Sequence, residues 1–398
     1  MTNAQFEVAV VGGGIVGCAT ALALAQGGRR VTVLEAEEHL AAHQSGHNSG
    51  VMHSGLYYRP GTLRARLCRE GLALLVRFCE EEGIPFRRSG KVVVATAPAE
   101  VPALDRLEER GRANGLAGLT RVEGPALREH EPHVQGVAGL WVPETGVVDY
   151  AVVTRAVARR AEALGAVVRT GARVSGRRAG SPQVVETTAG PVAAAFVVTC
   201  GGLQADRLAR LWGVDAGAAI VPFRGEYYEL RADRRTLVRS AIYPVPNPAL
   251  PFLGVHFTRR ITDQVDAGPN AVLAWSRHGY RRSDVSFPDL AAAFGYRGFW
   301  KMAARQWRVG LDELARSYSK ARFARALARL VPEVREDDLE PAGAGVRAQA
   351  LDAEGRLLDD FHIVEGPGSL HVINAPSPAA TASLAIGKEI AVRVEKRL

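Results

Sequence analysis

Phe6-Glu-Val-Ala-Val-Val11, a run with the β-branched density of a buried strand, passes straight into Gly12-Gly-Gly14-Ile15-Val16-Gly17. Few folds accept that junction. Gly12 permits a tight turn, Gly14 lets a pyrophosphate approach the backbone, and Gly17 lets the next helix pack closely on the strand. Cys18 to Gln26 is rich in Ala and Leu and reads as that helix; Arg30 to Leu34 reads as a second buried strand ending at Glu35. The whole is a βαβ unit of about 30 residues, the length a dinucleotide fold requires. Phosphates would sit on the helix N-terminus, where unpaired N–H groups and the helix dipole favour an anion. Glu35 stands where a carboxylate accepts ribose hydroxyls, and its charge disfavours a 2′-phosphate. A glycine turn in an ordinary βαβ unit is the competing reading. Strand, helix, second strand and terminal acid in this order favour the dinucleotide.

The residues after Glu35 narrow the choice. His43 to Tyr58 reads HQSGHNSGVMHSGLYY, too polar and glycine-rich for a buried strand and too long for a hairpin turn. Such a loop can wrap a cofactor's phosphates and ring. With Thr199-Cys-Gly-Gly202 and Asn374-Ala-Pro-Ser-Pro-Ala379, these segments resemble the D-amino-acid-oxidase-type flavoprotein superfamily. Pro222-Phe-Arg-Gly-Glu-Tyr227, Pro251-Phe-Leu-Gly-Val-His256, Gly268-Pro-Asn-Ala-Val-Leu273 and Gly345-Val-Arg-Ala-Gln349 narrow the resemblance to the bacterial L-2-hydroxyglutarate oxidase (dehydrogenase) family. The matching pieces run from residue 6 to residue 381, essentially the full chain.

That resemblance implies an α/β fold, with a Rossmann-like FAD-binding domain interleaved with a substrate domain on a mixed, largely antiparallel sheet. The expected segments are 1–55, 148–220 and 340–398 for FAD, and 56–147 and 221–339 for substrate. The FAD contacts it implies are Gly12, Gly14, Ile15, Val16, Gly17, Glu35, Asn48, Ser49, Gly50, Val51, Val174, Gly201, Leu203, Ser377, Pro378 and Ala379. Attachment is expected to be non-covalent, with His47 the position for a covalent link. The implied reaction is oxidation of L-2-hydroxyglutarate to 2-oxoglutarate, with electrons passing to a quinone or oxygen. An amino-acid or glycerol-3-phosphate oxidase on the same scaffold is the enzyme alternative. A flavin-binding sensor or subunit without turnover is the alternative outside enzymes.

Composition excludes several other classes. The 398 residues allow two domains, perhaps three, at roughly 150 residues each. Cys18, Cys68, Cys79 and Cys200 form no CxxC pair, which argues against a disulfide scaffold or zinc knuckle and fits a reducing compartment. No metal site is expected. No apolar run reaches the roughly 18 residues of a membrane span, and Met1 to Phe6 lacks a basic leader. A cytoplasmic protein is expected. The net charge of +8 is concentrated: residues 294–335 hold ten Lys and Arg against Asp312, Glu313 and Glu333. No nucleic-acid motif accompanies that charge, so nucleic acid is not an expected partner. Phe323, Leu327 and Leu330 share one helical face, with Arg322, Arg325 and Arg329 around it. A solvated helix packed on its own domain is one reading of this segment. A peripheral contact at the inner face of the plasma membrane, with Trp300 and Trp307 at its rim, is the other.

Oxidising a 2-hydroxy acid removes a hydride from the α-carbon and a proton from the hydroxyl, so the site needs a hydride acceptor, a base and a clamp. Histidine suits the base because its pKa lies near neutrality. Of ten histidines, His53 follows the Gly50-Val51-Met52 stretch that the resemblance places over the flavin ring, and His256 ends a strand of the substrate domain. His130 and His133 read as surface residues. The clamp is expected to be an arginine, whose planar fork makes two parallel bonds to a carboxylate. Arg347 matches the family's carboxylate-holding position, although Ala348 stands where many relatives have Pro. Arg64, Arg224 and Arg259 are candidates for a second carboxylate, and Tyr58 joins them as a substrate contact.

Overall fold

The computed structural model describes residues 5–246 and 253–398; Pro251 and Phe252 of the quoted motif lie outside the described residues. Phe6–Val11 is central to the first sheet, parallel to Val31–Leu34 on one side and to Val192–Thr199 on the other. Val167–Arg169 and Ser369–Asn374 extend the parallel array at its two ends. A parallel sheet covered on both faces needs apolar residues throughout, and every residue of Val31–Leu34 and Ser369–Asn374 is buried. Helices Ile15–Gln26, Leu63–Glu81, Tyr150–Ala163 and Ala379–Glu395 share one core with it.

The second sheet is built on two long antiparallel strands, Ala219–Leu230 and Leu339–Leu351, paired from Ala219 opposite Leu351 to Leu230 opposite Leu339 with one register shift between Glu226 and Tyr228. Beyond them follow Val265–Gly268, His256–Arg259 and Ala241–Pro244. Ala241–Pro244 then pairs in parallel with Val92–Ala95, so that two distant stretches of chain meet in mid-sheet. A third, three-stranded sheet joins Val51–Met52, Gly146–Val148 and Phe86–Arg87. It ties the polar loop after Glu35 to the body of the protein.

Two stretches depart from the expected segment bounds. Residues 340–351 belong to the second sheet rather than to the FAD portion, because Leu339–Leu351 completes the ladder with Ala219–Leu230. Leu63–Glu81 belongs to the first core, because Leu67, Leu72, Leu75 and Cys79 are buried there with residues of the C-terminal helix.

In its second half the basic segment follows the first of its two readings, a helix packed on its own domain. It forms helices Arg297–Ser317 and Lys320–Ala328. Phe323, Leu327 and Leu330 are buried in a core beneath the second sheet, beside Phe257 and Leu339, and cannot meet a lipid surface. The exposed apolar residues lie on the preceding helix. Trp300 is 58% exposed and Trp307 56%, and Leu311 and Leu314 follow them on the same side. At 100° per residue these four positions fall within about 60° of one another, a single stripe.

Candidate active site

One cavity of about 1110 Å³ is lined by both sheets. One part of its wall is the glycine turn. A Cβ on Gly12, which sits at φ +115°, would stand 2.4 Å from the carbonyl oxygen of Cys200. A Cβ on Gly17 would stand 1.9 Å from the carbonyl oxygen of Gly12. Both positions require glycine, for turn and for packing respectively. Ile15 N–H at the helix start donates to Ser45 Oγ at 2.9 Å, which brings the loop over the turn. Glu35 is held by two backbone donors, Gly13 N–H at 2.6 Å and Glu37 N–H at 2.8 Å.

Gly12, Gly14, Ile15, Val16, Glu35, Asn48, Ser49, Val51, Val174, Gly201, Leu203, Ser377, Pro378 and Ala379 all line this cavity. Gly17 and Gly50 do not. Gly17 is behind the turn as a packing residue, and Gly50 forms a bend at φ +71° where a Cβ would meet the Val148 carbonyl oxygen at 2.7 Å. The residues present fit FAD: a helix N-terminus for the pyrophosphate, a positioned carboxylate for the ribose, and a cavity that continues into a second domain-sized sheet. Glu37, His43 and His278 bring possible metal-ligand atoms within 4.8 Å of one another. The same Glu37 oxygen already takes Arg173 at 2.9 Å and His43 at 3.2 Å, so a cation stands where a metal would.

Glu35→Ala is expected to lose FAD before it loses its fold. The first sheet does not depend on the carboxylate, whereas the expected ribose contact would. Flavin content per folded protein after gel filtration checks this, with an affinity loss of about tenfold or more from one charge-assisted bond.

The other part of the wall carries polar groups from four places in the chain. His53 follows Val51–Met52; its N–H donates to Thr381 Oγ1 at 3.0 Å, and Tyr150 Oη lies 2.8 Å from the same hydroxyl. His53 Nε2 lies 3.4 Å from Ser377 Oγ, and its Nδ1 is buried without a hydrogen-bond partner. His256 begins the strand His256–Arg259, and its Nδ1 lies 2.9 Å from the Gly254 carbonyl oxygen. A carbonyl can only accept, so Nδ1 carries the hydrogen and Nε2 keeps its lone pair. The His256 ring packs on Tyr243 at 3.9 Å between centroids. Burial, reinforced for His53 by Lys91 and Arg64, pulls its pKa down to about 3. Burial, with Arg347 and Lys91, does the same to His256. Both imidazoles are neutral at pH 7.

Arg347, on Leu339–Leu351 opposite Phe223, lines the cavity and hydrogen-bonds Tyr227. Tyr57, Tyr58 and Tyr243 line it too. Arg64 is also in the wall, stacked over Tyr58 at 4.5 Å. It donates to the Asp359 carbonyl at 2.6 Å and the Ser377 carbonyl at 2.6 Å, so it braces the loop before the C-terminal helix. Arg224 and Arg259, expected as substrate contacts, lie outside the cavity lining. Arg224 is buried against Glu226 and the Arg281 carbonyl. Arg259 is held by Asp263 and by the Arg235 and Val238 carbonyls. Sequence reasoning missed Ser45, Tyr243 and Lys91. Lys91 alone carried a signal, as one of five lysines in a chain with 50 Lys and Arg, placed directly before Val92-Val93-Val94.

A family model described as FAD dependent oxidoreductase matches residues 7–393. The chain belongs to that family. It is 48% identical over 397 residues to an L-2-hydroxyglutarate dehydrogenase of Indibacter alkaliphilus, covering 99% of this chain and all of that one. It is 41% identical to an L-2-hydroxyglutarate dehydrogenase of Escherichia coli, covering 99% of this chain and 94% of the relative. Within the FAD dependent oxidoreductases it therefore groups with the L-2-hydroxyglutarate dehydrogenases. Among solved structures it resembles the FAD-bound L-alpha-glycerophosphate oxidase of Mycoplasma pneumoniae, at TM-score 0.81, 23% identity and coverage of 99% and 95%. Glycine oxidase from Geobacillus kaustophilus follows at TM-score 0.74, 21% identity and coverage of 99% and 95%. These two likenesses establish the FAD oxidoreductase fold, not the substrate.

Proposed function

We propose that this FAD-dependent oxidoreductase converts L-2-hydroxyglutarate to 2-oxoglutarate, with the flavin held non-covalently. The observation that carries the reading is one cavity joining the dinucleotide turn to an arginine and two neutral imidazoles. FAD, when bound, supplies the hydride acceptor. Arg347 holds the carboxylate next to the reacting carbon, with Tyr227 hydrogen-bonded beside it. The hydroxyl proton passes to the His53–His256 pair as the carbonyl forms. A neutral imidazole is the competent form for that step, and burial keeps both rings neutral. Anaerobic mixing with L-2-hydroxyglutarate should bleach the flavin absorbance and yield 2-oxoglutarate one for one. Equal reduction by L-lactate, glycine or glycerol 3-phosphate would replace this substrate assignment while leaving the flavin chemistry intact. No reduction by any of them would favour a flavin-binding protein without turnover.

Electrons are proposed to leave for a quinone or for oxygen, and a cytoplasmic chain touching the membrane surface suits the first. Among the described residues no helix is long and apolar enough to cross a membrane. The Trp300, Trp307, Leu311 and Leu314 stripe, flanked by Arg297, Lys301 and Arg308, suits a helix lying in an anionic interface. Binding to anionic vesicles at low salt is expected, with release as ionic strength rises and the Debye length falls below about 10 Å. Trp300→Ala with Trp307→Ala should abolish it. Co-sedimentation checks the outcome; indifference to vesicle charge would exclude it.

A further inference from the structure

Among the described residues, Lys91 is a buried cation near the reacting end that the mechanism above leaves without a task. It precedes Val92–Ala95, and its backbone is fixed by reciprocal bonds with Val142 at 3.1 and 2.8 Å. The side chain is 1% exposed. Its ammonium lies 4.4 Å from the centroid of the Tyr57 ring and 4.9 Å from that of Tyr243. Both rings line the cavity, and Lys91 stands directly behind them. It forms no ion pair among the described residues, and burial draws its pKa down to about 7. The groups in contact or electrostatic reach are Cys68 on Leu63–Glu81, Tyr57 and His53, and from the second sheet Tyr243 and His256. None of them is a carboxylate; Glu144, which also acts on Cys68, is already paired with Arg69.

A lone ammonium is costly to bury, and an apolar side chain of the same length would fill the space at lower cost. The Tyr57 hydroxyl in the same wall is also buried without a hydrogen-bond partner. A positive charge without a counter-ion, beside an unsatisfied hydroxyl, is a wall that awaits an anion. Arg347 already accounts for the first carboxylate of the substrate. We propose that Lys91 is a specificity-determining residue that selects a dianion: it holds an uncompensated positive charge behind the Tyr57–Tyr243 pair, and the second carboxylate of the substrate supplies the missing countercharge. It acts through the two rings and the field, not as a catalytic residue. Arg224 and Arg259 cannot take this part, since Glu226 and Asp263 already neutralise them outside the cavity.

The proposal rests on the dicarboxylate reading of the substrate. FAD-loaded wild type and Lys91→Met are compared on L-2-hydroxyglutarate and on L-2-hydroxyvalerate, which has a methyl group in place of the distal carboxylate. The ratio of the two kcat/KM values should fall about tenfold or more in Lys91→Met, chiefly through KM for the dianion. An unchanged ratio, or an equal loss on both substrates, would overturn the role of Lys91. If the variant is recovered without flavin, wild type decides the matter through Kd values for glutarate and valerate from the flavin absorbance shift between pH 6 and 9. An ammonium is charged below its pKa and neutral above it. Glutarate binding should therefore weaken with rising pH from about 7 upward, and valerate binding should weaken far less; parallel profiles would overturn the proposal. Failure of wild type to turn over L-2-hydroxyglutarate would remove the substrate reading and this proposal together, whereas normal turnover with an unmoved ratio removes only Lys91.

Discussion

Arg347→Ala is expected to lower kcat/KM for L-2-hydroxyglutarate more than any other single substitution at a cation in this chain. Removing one partner of a desolvated charge pair costs about 2–5 kcal/mol, which is roughly 30-fold to several thousand-fold in kcat/KM. Arg347 is half-buried in the cavity wall, so partial access of water keeps the loss below the top of that range. Arg347→Lys should recover only part of the activity, since an ammonium cannot reproduce a planar fork. FAD content should stay near wild type, because the turn around Gly12 and the Glu35 carboxylate are built on the first sheet and do not use Arg347. Steady-state kinetics with flavin quantified in the same samples checks both points. Loss limited to a factor of two would show that the carboxylate docks elsewhere.

His53→Asn and His256→Asn should each slow flavin reduction by about 10²–10⁴, the usual contribution of a positioned general base. The larger loss identifies the ring that takes the proton. Their acid behaviour follows from burial. A base fails when protonated, which happens below its pKa, and both rings sit well below the ordinary histidine value at about 3. The reductive half-reaction should therefore keep its rate as pH falls through 6.5, where an exposed histidine would lose it. Stability follows the same linkage with its own sign. A histidine held neutral in the fold contributes fully above pH 6.5, and that contribution is lost as pH falls from there toward the folded value. Denaturant midpoints measured from pH 7 to pH 4 should decline less in the Asn variants than in wild type. A rate that halves near pH 6.5 would mean that the base is solvated in the working enzyme.

Much of the cofactor end was legible because its information is local. Gly12 to Glu35 lie in one continuous βαβ unit, and Gly17 answers to the Gly12 carbonyl five residues before it, although Gly12 itself is also required by the distant Cys200 carbonyl. The polar loop announced itself through composition, and Asn48, Ser49 and Val51 line the cavity in consequence. The cations were harder. Arg64, Arg224 and Arg259 looked alike as residue types among so many arginines. Side-chain burial against Glu226 and salt bridging to Asp263 separated two of them from the cavity, while carbonyls of the Ser377 loop claimed the third. The apolar face of Phe323, Leu327 and Leu330 left two readings open for a related reason. A helical stripe shows that something covers it, but not whether that is lipid or a sheet from the same chain. Here it is the sheet.

The amino-acid order by itself determined the dinucleotide turn, the acid that ends the second strand, and the motifs by which the chain resembles its family. Those features depend on spacing over a few tens of residues, within reach of steric and hydrogen-bonding rules. Only the tertiary structure decided that Tyr243, His256 and Arg347 share one cavity wall, with Lys91 behind the Tyr243 ring. That meeting requires Ala241–Pro244 to lie in parallel beside Val92–Ala95 and Leu339–Leu351 to run the length of Ala219–Leu230. Each ladder closes a loop of about a hundred residues or more, and its register is set by burial of both partners at once, a condition that no local pattern contains.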